Sequence, residues 1–183
     1  MELNKILLDK VKIVNMNSFS ILNIKELSRI YKKIFEGAPW NEKWTLEESE
    51  KVILRYKNLV KENKGLFQTI FFKSKIIGFG VFLKNYNLDI ITKKQEKVIY
   101  TNIVYDADFG IIPKFQNKGL GKLFMYARLN LLQNNSISEY YLRTINSQAI
   151  HLAKYIGSVK YIGKFNKETY ENRYCYKVKI YGK

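Results

Sequence analysis

Ile111-Ile112-Pro113-Lys114-Phe115-Gln116-Asn117-Lys118-Gly119-Leu120-Gly121 decides how the rest of this chain is read. The stretch carries a strand into a glycine-broken turn that opens a helix. Gly119 and Gly121 have no Cβ, so the turn can take unusual dihedrals and admit a ligand to the backbone. The N–H groups of the first helical turn lack carbonyl partners of their own and carry the positive end of the helix dipole. Such a turn holds a phosphate without a charged side chain. The competing reading is a tight turn that only packs a helix against a sheet.

The flanking residues favour the ligand site. Val98 to Ile112 is rich in β-branched and aromatic residues, with Asn102, Val104, Asp106, Asp108 and Gly110 on one side of a period-two pattern. Leu120, Leu123, Phe124, Ala127 and Leu131 recur at helical spacing, and Gln133-Asn134-Asn135-Ser136 is a stop signal. Strand, glycine turn and helix therefore follow in the order a phosphate cradle requires.

The same residues carry a resemblance. An aliphatic residue, any residue, Pro113, two residues and then Gln-x-x-Gly-x-Gly resembles the acyl-CoA-binding motif of the GNAT N-acetyltransferases. The resemblance implies that the amides of this turn hold the pyrophosphate of acetyl-CoA. The residues concerned are Ile111, Ile112, Gln116, Asn117, Lys118, Gly119, Leu120, Gly121 and Lys122. Tyr140 to Ile145 reads as a strand and leads into Asn146-x-x-Ala149-x-x-Leu152 and Gly157, which resembles the family's second signature. Asn146 is thereby implied near the pantetheine. The family pattern has Tyr after that Leu and Phe after that Gly, whereas this chain has Ala153 and Ser158. Tyr155 lies two residues further on, roughly 200° around a helix, so it does not inherit the general-acid role.

The N-terminal half is organised in the same way. Val11 to Val14 reads as a first strand. Asn23 and Glu26 resemble a capping pair ahead of a helix with Leu27, Ile30, Tyr31, Ile34 and Phe35 as its apolar face, which Gly37-Ala38-Pro39 ends. Thr45-x-x-Glu48 is a second capping box, and Val52, Ile53, Tyr56, Leu59 and Val60 continue an amphipathic helix to Lys64-Gly65. Leu66 to Phe72 and Ile76 to Leu83 are nearly continuous apolar runs joined by Lys73-Ser74-Lys75, a hairpin buried on both faces. Val159 to Phe165 and Arg173 to Tyr181 form a closing hairpin. The resulting order is that of the GNAT fold. The fold class expected is α/β, a single domain over residues 1–183, with a mixed, mostly antiparallel sheet of about six to seven strands flanked by about four helices.

Composition bounds the remaining classes. With 183 residues and 46% hydrophobic content the chain can bury a core, and no compositional break divides it. Met1 to Asn17 lacks the apolar run of a signal peptide and no stretch approaches a membrane span, so a soluble cytoplasmic protein is expected. A single cysteine, Cys175, lies in a strand pattern and reads as a core thiol. A single histidine, His151, rules out a multi-histidine metal site, and no metal is expected. The net charge of +16 invites a nucleic-acid partner. The charge is mostly lysine scattered along the chain, with arginine only at Arg29, Arg55, Arg128, Arg143 and Arg173, which reads as a solvated basic surface. Lys114, Lys118 and Lys122 differ in flanking the glycine turn, where they raise the potential for a polyanion.

Amide formation needs a base for the acceptor's ammonium and a donor for the developing oxyanion. Asp108 and Asp106 fall on the same side of the predicted strand, with Asp108 nearer the acetyl group and Asp106 placed to act through water. The resemblance implies the Ile111 N–H as oxyanion donor. It also implies that the link between the first two helices walls the acceptor site. That link carries Glu36, Trp40, Glu42 and Trp44, an acidic and aromatic island suited to a cationic amine. The competing reading gives the tryptophans to the core. The function expected is acetyl transfer from acetyl-CoA to a primary amine of a small molecule or protein. A non-catalytic acyl-CoA-binding module and a tRNA-directed acetyltransferase stay open, as does a homodimer through the closing hairpin.

Overall fold

The computed structural model describes residues 9–165 and 173–182. Residues 1–8, part of the stretch weighed above for a leader, lie outside the described residues. The elements run β1 (Val11–Asn15), α1 (Ile21–Phe35), α2 (Leu46–Lys61), β2 (Gly65–Phe72), β3 (Lys75–Ile91), β4 (Lys97–Ile111), a 3₁₀ turn (Pro113–Phe115), α3 (Leu120–Asn134), β5 (Glu139–Thr144), α4 (Ser147–Ala153), β6 (Gly157–Phe165) and β7 (Tyr174–Ile180). The seven strands form one mixed sheet in the order β1-β2-β3-β4-β5-β7-β6. Its β4–β5 pair is parallel, while β1–β2, β5–β7 and β6–β7 are antiparallel. The α/β order expected from the sequence is the order observed.

Two compact units divide the described residues, one within Met1–Val81 and Asp108–Phe124, the other within Phe82–Ala107 and Met125–Lys183. In the first, α1 and α2 each begin at a capping box. Thr45 and Glu48 supply the one on α2 as expected. The one on α1 is made by Ser20 and Asn23, which corrects the expected Asn23/Glu26 pair. Glu26 instead accepts a hydrogen bond from the Ile76 N–H at 3.0 Å. Each cap satisfies orphan N–H groups and contributes about 1 kcal/mol. The apolar faces meet in a run of rings. Tyr31 stacks on Phe79 (5.8 Å), Phe79 on Phe67 (5.7 Å), and Tyr56 of α2 lies 6.3 Å from Phe67.

The β2–β3 hairpin turns on Lys73 and Ser74, both with positive φ, a two-residue geometry that matches strand twist. The β3 strand continues to Ile91, beyond the expected Leu83, because the later residues include the buried Leu88 and Ile90.

The second unit holds the rest of β3 and β4, most of α3, and β5 to β7. Its core includes Phe82, Leu88, Ile90, Leu132, Tyr140 and Val178, all 0% exposed. Asn102 has φ +54 and interrupts the pleat of β4, so the period-two face expected from Asn102 onward is not continuous. Antiparallel pairs Val159↔Val178 and Tyr161↔Tyr176 register the closing hairpin, with an irregularity between Tyr161 and Gly163.

Candidate active site

In the first unit, the end of β4 is built by close packing. A Cβ on Gly110 would lie 2.4 Å from the Cγ2 of Ile34, so only glycine lets α1 approach the strand this closely. Ile34 is itself buried. One turn further along the chain, the Cα of Gly37 faces the Pro113 ring, 3.5 Å from where its Cβ would be. The α1–α2 link therefore abuts the start of the glycine motif. The Ile112 N–H donates to the Ile77 carbonyl of β3 at 2.9 Å. By strand alternation, the N–H of the buried Ile111 is turned away from β3.

The motif then folds in a way the sequence pattern did not show. A 3₁₀ turn over Pro113–Phe115 is closed by Phe115 N–H to the Ile112 carbonyl at 2.9 Å. The Gln116 amide donates to the Ile111 carbonyl at 2.7 Å, tying the turn back to the strand. Asn117 (φ +57) and Gly119 (φ +78) take left-handed dihedrals that reverse the chain into α3. The helical ladder opens with Leu123 N–H donating to the Gly119 carbonyl, so the N–H groups of Leu120 and Gly121 precede it. Leu120 is 1% exposed and anchors the helix start. Among the described residues, its two chain neighbours aside, a Cβ on Gly119 would meet no atom within 4 Å. Open space thus lies at the Gly119 turn, just ahead of the first ladder bond of α3, with Lys118 and Lys122 exposed beside it. These residues fit a pyrophosphate.

Asp108 is half-buried, and the Tyr56 hydroxyl of α2 donates to its Oδ2. Tyr56 went unrecognised as a site residue from sequence, because its ring fits the apolar face of α2 and nothing marks its hydroxyl. The acidic link is internally partnered. Glu36 pairs with Lys32, which also donates to the Trp44 carbonyl. Glu42 accepts from the Trp44 indole N–H at 2.8 Å. Trp40 lies 5.8 Å from Phe35 and Trp44 4.9 Å from Tyr31, both half-buried. The tryptophans thus pack partly as core and partly as surface.

In the second unit, Asp106 accepts a hydrogen bond from the Arg128 guanidinium of α3. The Arg128 side chain is 0% exposed and that of Asp106 12%. Burial pushes the Asp106 carboxyl above its usual range and the guanidinium pulls it back. Arg128 also covers the Phe82 ring at 4.0 Å. The Tyr140 hydroxyl is buried beside the pair, and burial, then the Asp106 charge, drive its ionisation upward. Arg128 was legible in principle, since it falls at helical spacing on the face that carries Leu120, Phe124 and Leu132. A cation there demands a buried partner.

Asn146 caps α4, its Oδ1 accepting from the Gln148 N–H at 2.9 Å. Ala153 is 1% exposed, so the position that resembles a tyrosine in the family is a small core residue here. Tyr155 meets the His151 ring nitrogen Nε2 at 3.3 Å in the turn beyond α4. Cys175 is fully buried, and its thiol is pushed up to about 12 by that burial, which removes it as a nucleophile. Among the described residues no group of three or more His, Cys, Asp or Glu is arranged to hold a metal ion. No helix among them is long and apolar enough to cross a membrane.

Comparison with known proteins gives these features a family. No curated protein sequence matches the chain. Solved structures that share its fold include these three. PH1933 from Pyrococcus horikoshii OT3 has a TM-score of 0.69 at 19% identity, covering 94% of this chain and 99% of that one. The ribosomal-protein-S18-alanine N-acetyltransferase from Escherichia coli has 0.59 at 13%, covering 94% and 96%. The spermidine N-acetyltransferase from Vibrio cholerae, in complex with CoA and spermine, has 0.59 at 13%, also covering 94% and 96%. The model of the acetyltransferase (GNAT) family matches residues 24–157, which span the glycine turn, both aspartates and Asn146. The chain therefore belongs to the GNAT acetyltransferase family and is an acetyl-CoA-dependent acyltransferase.

Proposed function

We propose that the chain is a single acyl-CoA N-acyltransferase-like domain over residues 1–183 that acetylates a primary amine of a small molecule or protein, in the cytoplasm. The observation that carries this reading is the Gly119 turn, with open space over it at the exit of β4. The backbone of Asn117 to Lys122 would hold the pyrophosphate, with Ile111, Ile112 and Asn146 along the pantetheine. Gln116 supports the turn through its bond to the Ile111 carbonyl. When bound, acetyl-CoA supplies an activated acetyl thioester and a thiolate leaving group. Asp108 takes the proton of the acceptor's ammonium directly; Asp106, acting through water, is the alternative base. The Ile111 N–H donates to the carbonyl oxygen as charge develops there. Ala153 provides no proton, and a thiolate, with a free pKa near about 8.5, needs one less urgently than an alkoxide.

Glu36, Trp40, Glu42 and Trp44 form the acceptor wall. A cationic amine would compete with Lys32 for Glu36. Two structural relatives named above act on a ribosomal-protein alanine and on spermidine, and these bracket the acceptors to test here. The test starts with thermal shifts in acetyl-CoA, CoA and ATP. Saturation at about a hundred times Kd adds roughly 2.7 kcal/mol of stability. A shift with the CoA compounds alone is expected, followed by thiol release with an amine acceptor, which D108N abolishes while leaving the shift intact. Equal shifts with ATP would refute the cofactor site.

A further inference from the structure

The sequence presents Asp106 and Asp108 as equivalents, but the fold gives each a different companion. Asp106 meets a buried guanidinium, and Asp108 meets a tyrosine hydroxyl from an element 52 residues away in sequence. We propose that Tyr56 is a positioning residue for Asp108, holding its carboxylate in the orientation from which it takes the acceptor's proton. The proposal rests on the reading of Asp108 as the base.

Four observations carry it. Tyr56 is 6% exposed on the buried face of α2 that also carries Ser49 and Ile53, so its backbone position is set by core packing. Its ring ends the aromatic run through Phe67, Phe79 and Tyr31, which leaves the ring little freedom to turn its hydroxyl elsewhere. A phenylalanine would fill the same space, so packing alone does not account for the hydroxyl. That hydroxyl donates to Oδ2 of Asp108 and so fixes the orientation of the carboxylate. Meanwhile Asp108 stays half-buried rather than sealed, as a group that meets a substrate must. In the step itself one N–H bond of the ammonium breaks and one O–H bond forms on Asp108. The neutral amine keeps the electron pair that attacks the thioester carbon. A base held by a rigid second group is worth more than one that must be oriented at each turnover.

The test compares wild type, Y56F, D108N and Y56F/D108N, with acetyl-CoA as donor and spermidine or a peptide with N-terminal alanine as acceptor. Y56F is expected to lower kcat about 10-fold, the worth of a hydrogen bond to a charged group, with the KM for acetyl-CoA unchanged. The double variant is expected to match D108N, because Tyr56 acts only through Asp108. An unchanged kcat in Y56F, or a further loss when Y56F is added to D108N, would overturn the proposal. Wild-type turnover in D108N would instead remove Asp108 as the base. An activity-free measurement stands beside these: a slowly exchanging Tyr56 hydroxyl proton in the NMR spectrum, present in wild type and lost in both Y56F and D108A, the second of which removes the acceptor altogether. Its persistence in D108A, or its absence from wild type, refutes the contact whichever acceptor is used.

Discussion

Replacing Arg128 with methionine removes a cation from a site where a carboxylate cannot easily be left alone. The guanidinium is fully enclosed and the Asp106 side chain is 12% exposed, so water replaces little of the lost interaction. Methionine fills much of the same volume, and its thioether can rest on the Phe82 ring that Arg128 covers. The cost is therefore chiefly electrostatic, about 3–5 kcal/mol for a buried charge deprived of its partner. For 183 residues the unfolding entropy is about 0.38 kcal/mol/K, which places the fall in Tm at about 8–13 °C. The size of the loss depends on pH. With Arg128 gone, the folded carboxyl rises further above its unfolded value of 3.8. A raised folded value means stability that is complete below the unfolded value and is lost as pH rises through the folded one. R128M should accordingly be nearest to wild type at low pH and furthest from it at pH 8. Adding D106N removes the orphaned charge and should restore much of the loss at pH 8 without restoring the pH dependence. Urea denaturation of wild type, R128M and R128M/D106N at pH 5 and 8 measures all of this. An R128M deficit under about 1 kcal/mol at pH 8, well below the 3–5 of a buried pair, or one equal at both pH values, would refute the claim of a buried pair.

Two further outcomes follow from single positions. G119A should cost the free protein only about 1 kcal/mol of left-handed strain, because its methyl meets no described residue beyond its chain neighbours. The same variant should weaken CoA by more than 10-fold in calorimetry, and unchanged affinity would show that nothing approaches this turn. Cys175, the single cysteine, should react with a thiol reagent at pH 8 only as fast as the protein opens, since a thiol at about 12 leaves about one part in ten thousand as thiolate. Its value is raised from 9.0, so its contribution is complete below pH 9 and falls as pH rises toward 12. C175A should lose less stability than wild type between pH 9 and 11, and a parallel loss would place the thiol in contact with water.

Much of the architecture was legible in the residues themselves. Thr45 and Glu48, the apolar runs flanking Lys73-Ser74, and the strand, glycine turn and helix around Gly119 are local signals. Their physics acts over a few residues, through caps, twist and dihedral freedom. Where local signals compete, the reading slipped. Asn23 serves Ser20 rather than Glu26, and Asn102 breaks a pleat whose residue types suit a strand. The 3₁₀ turn at Pro113 escaped notice because its bonds, Phe115 to Ile112 and Gln116 to Ile111, depend on how the strand end is held.

The sequence by itself determined the family-type order of elements and the glycine turn between β4 and α3, since both are written in spacings of a few residues. Tertiary structure alone decided how the two aspartates differ. Asp106 is matched to Arg128 across 22 residues and Asp108 to Tyr56 across 52. Whether a carboxylate meets a guanidinium or a hydroxyl is set by which helix face packs over the strand. That choice is made by burial of the whole apolar surface and leaves no mark in the residues beside it.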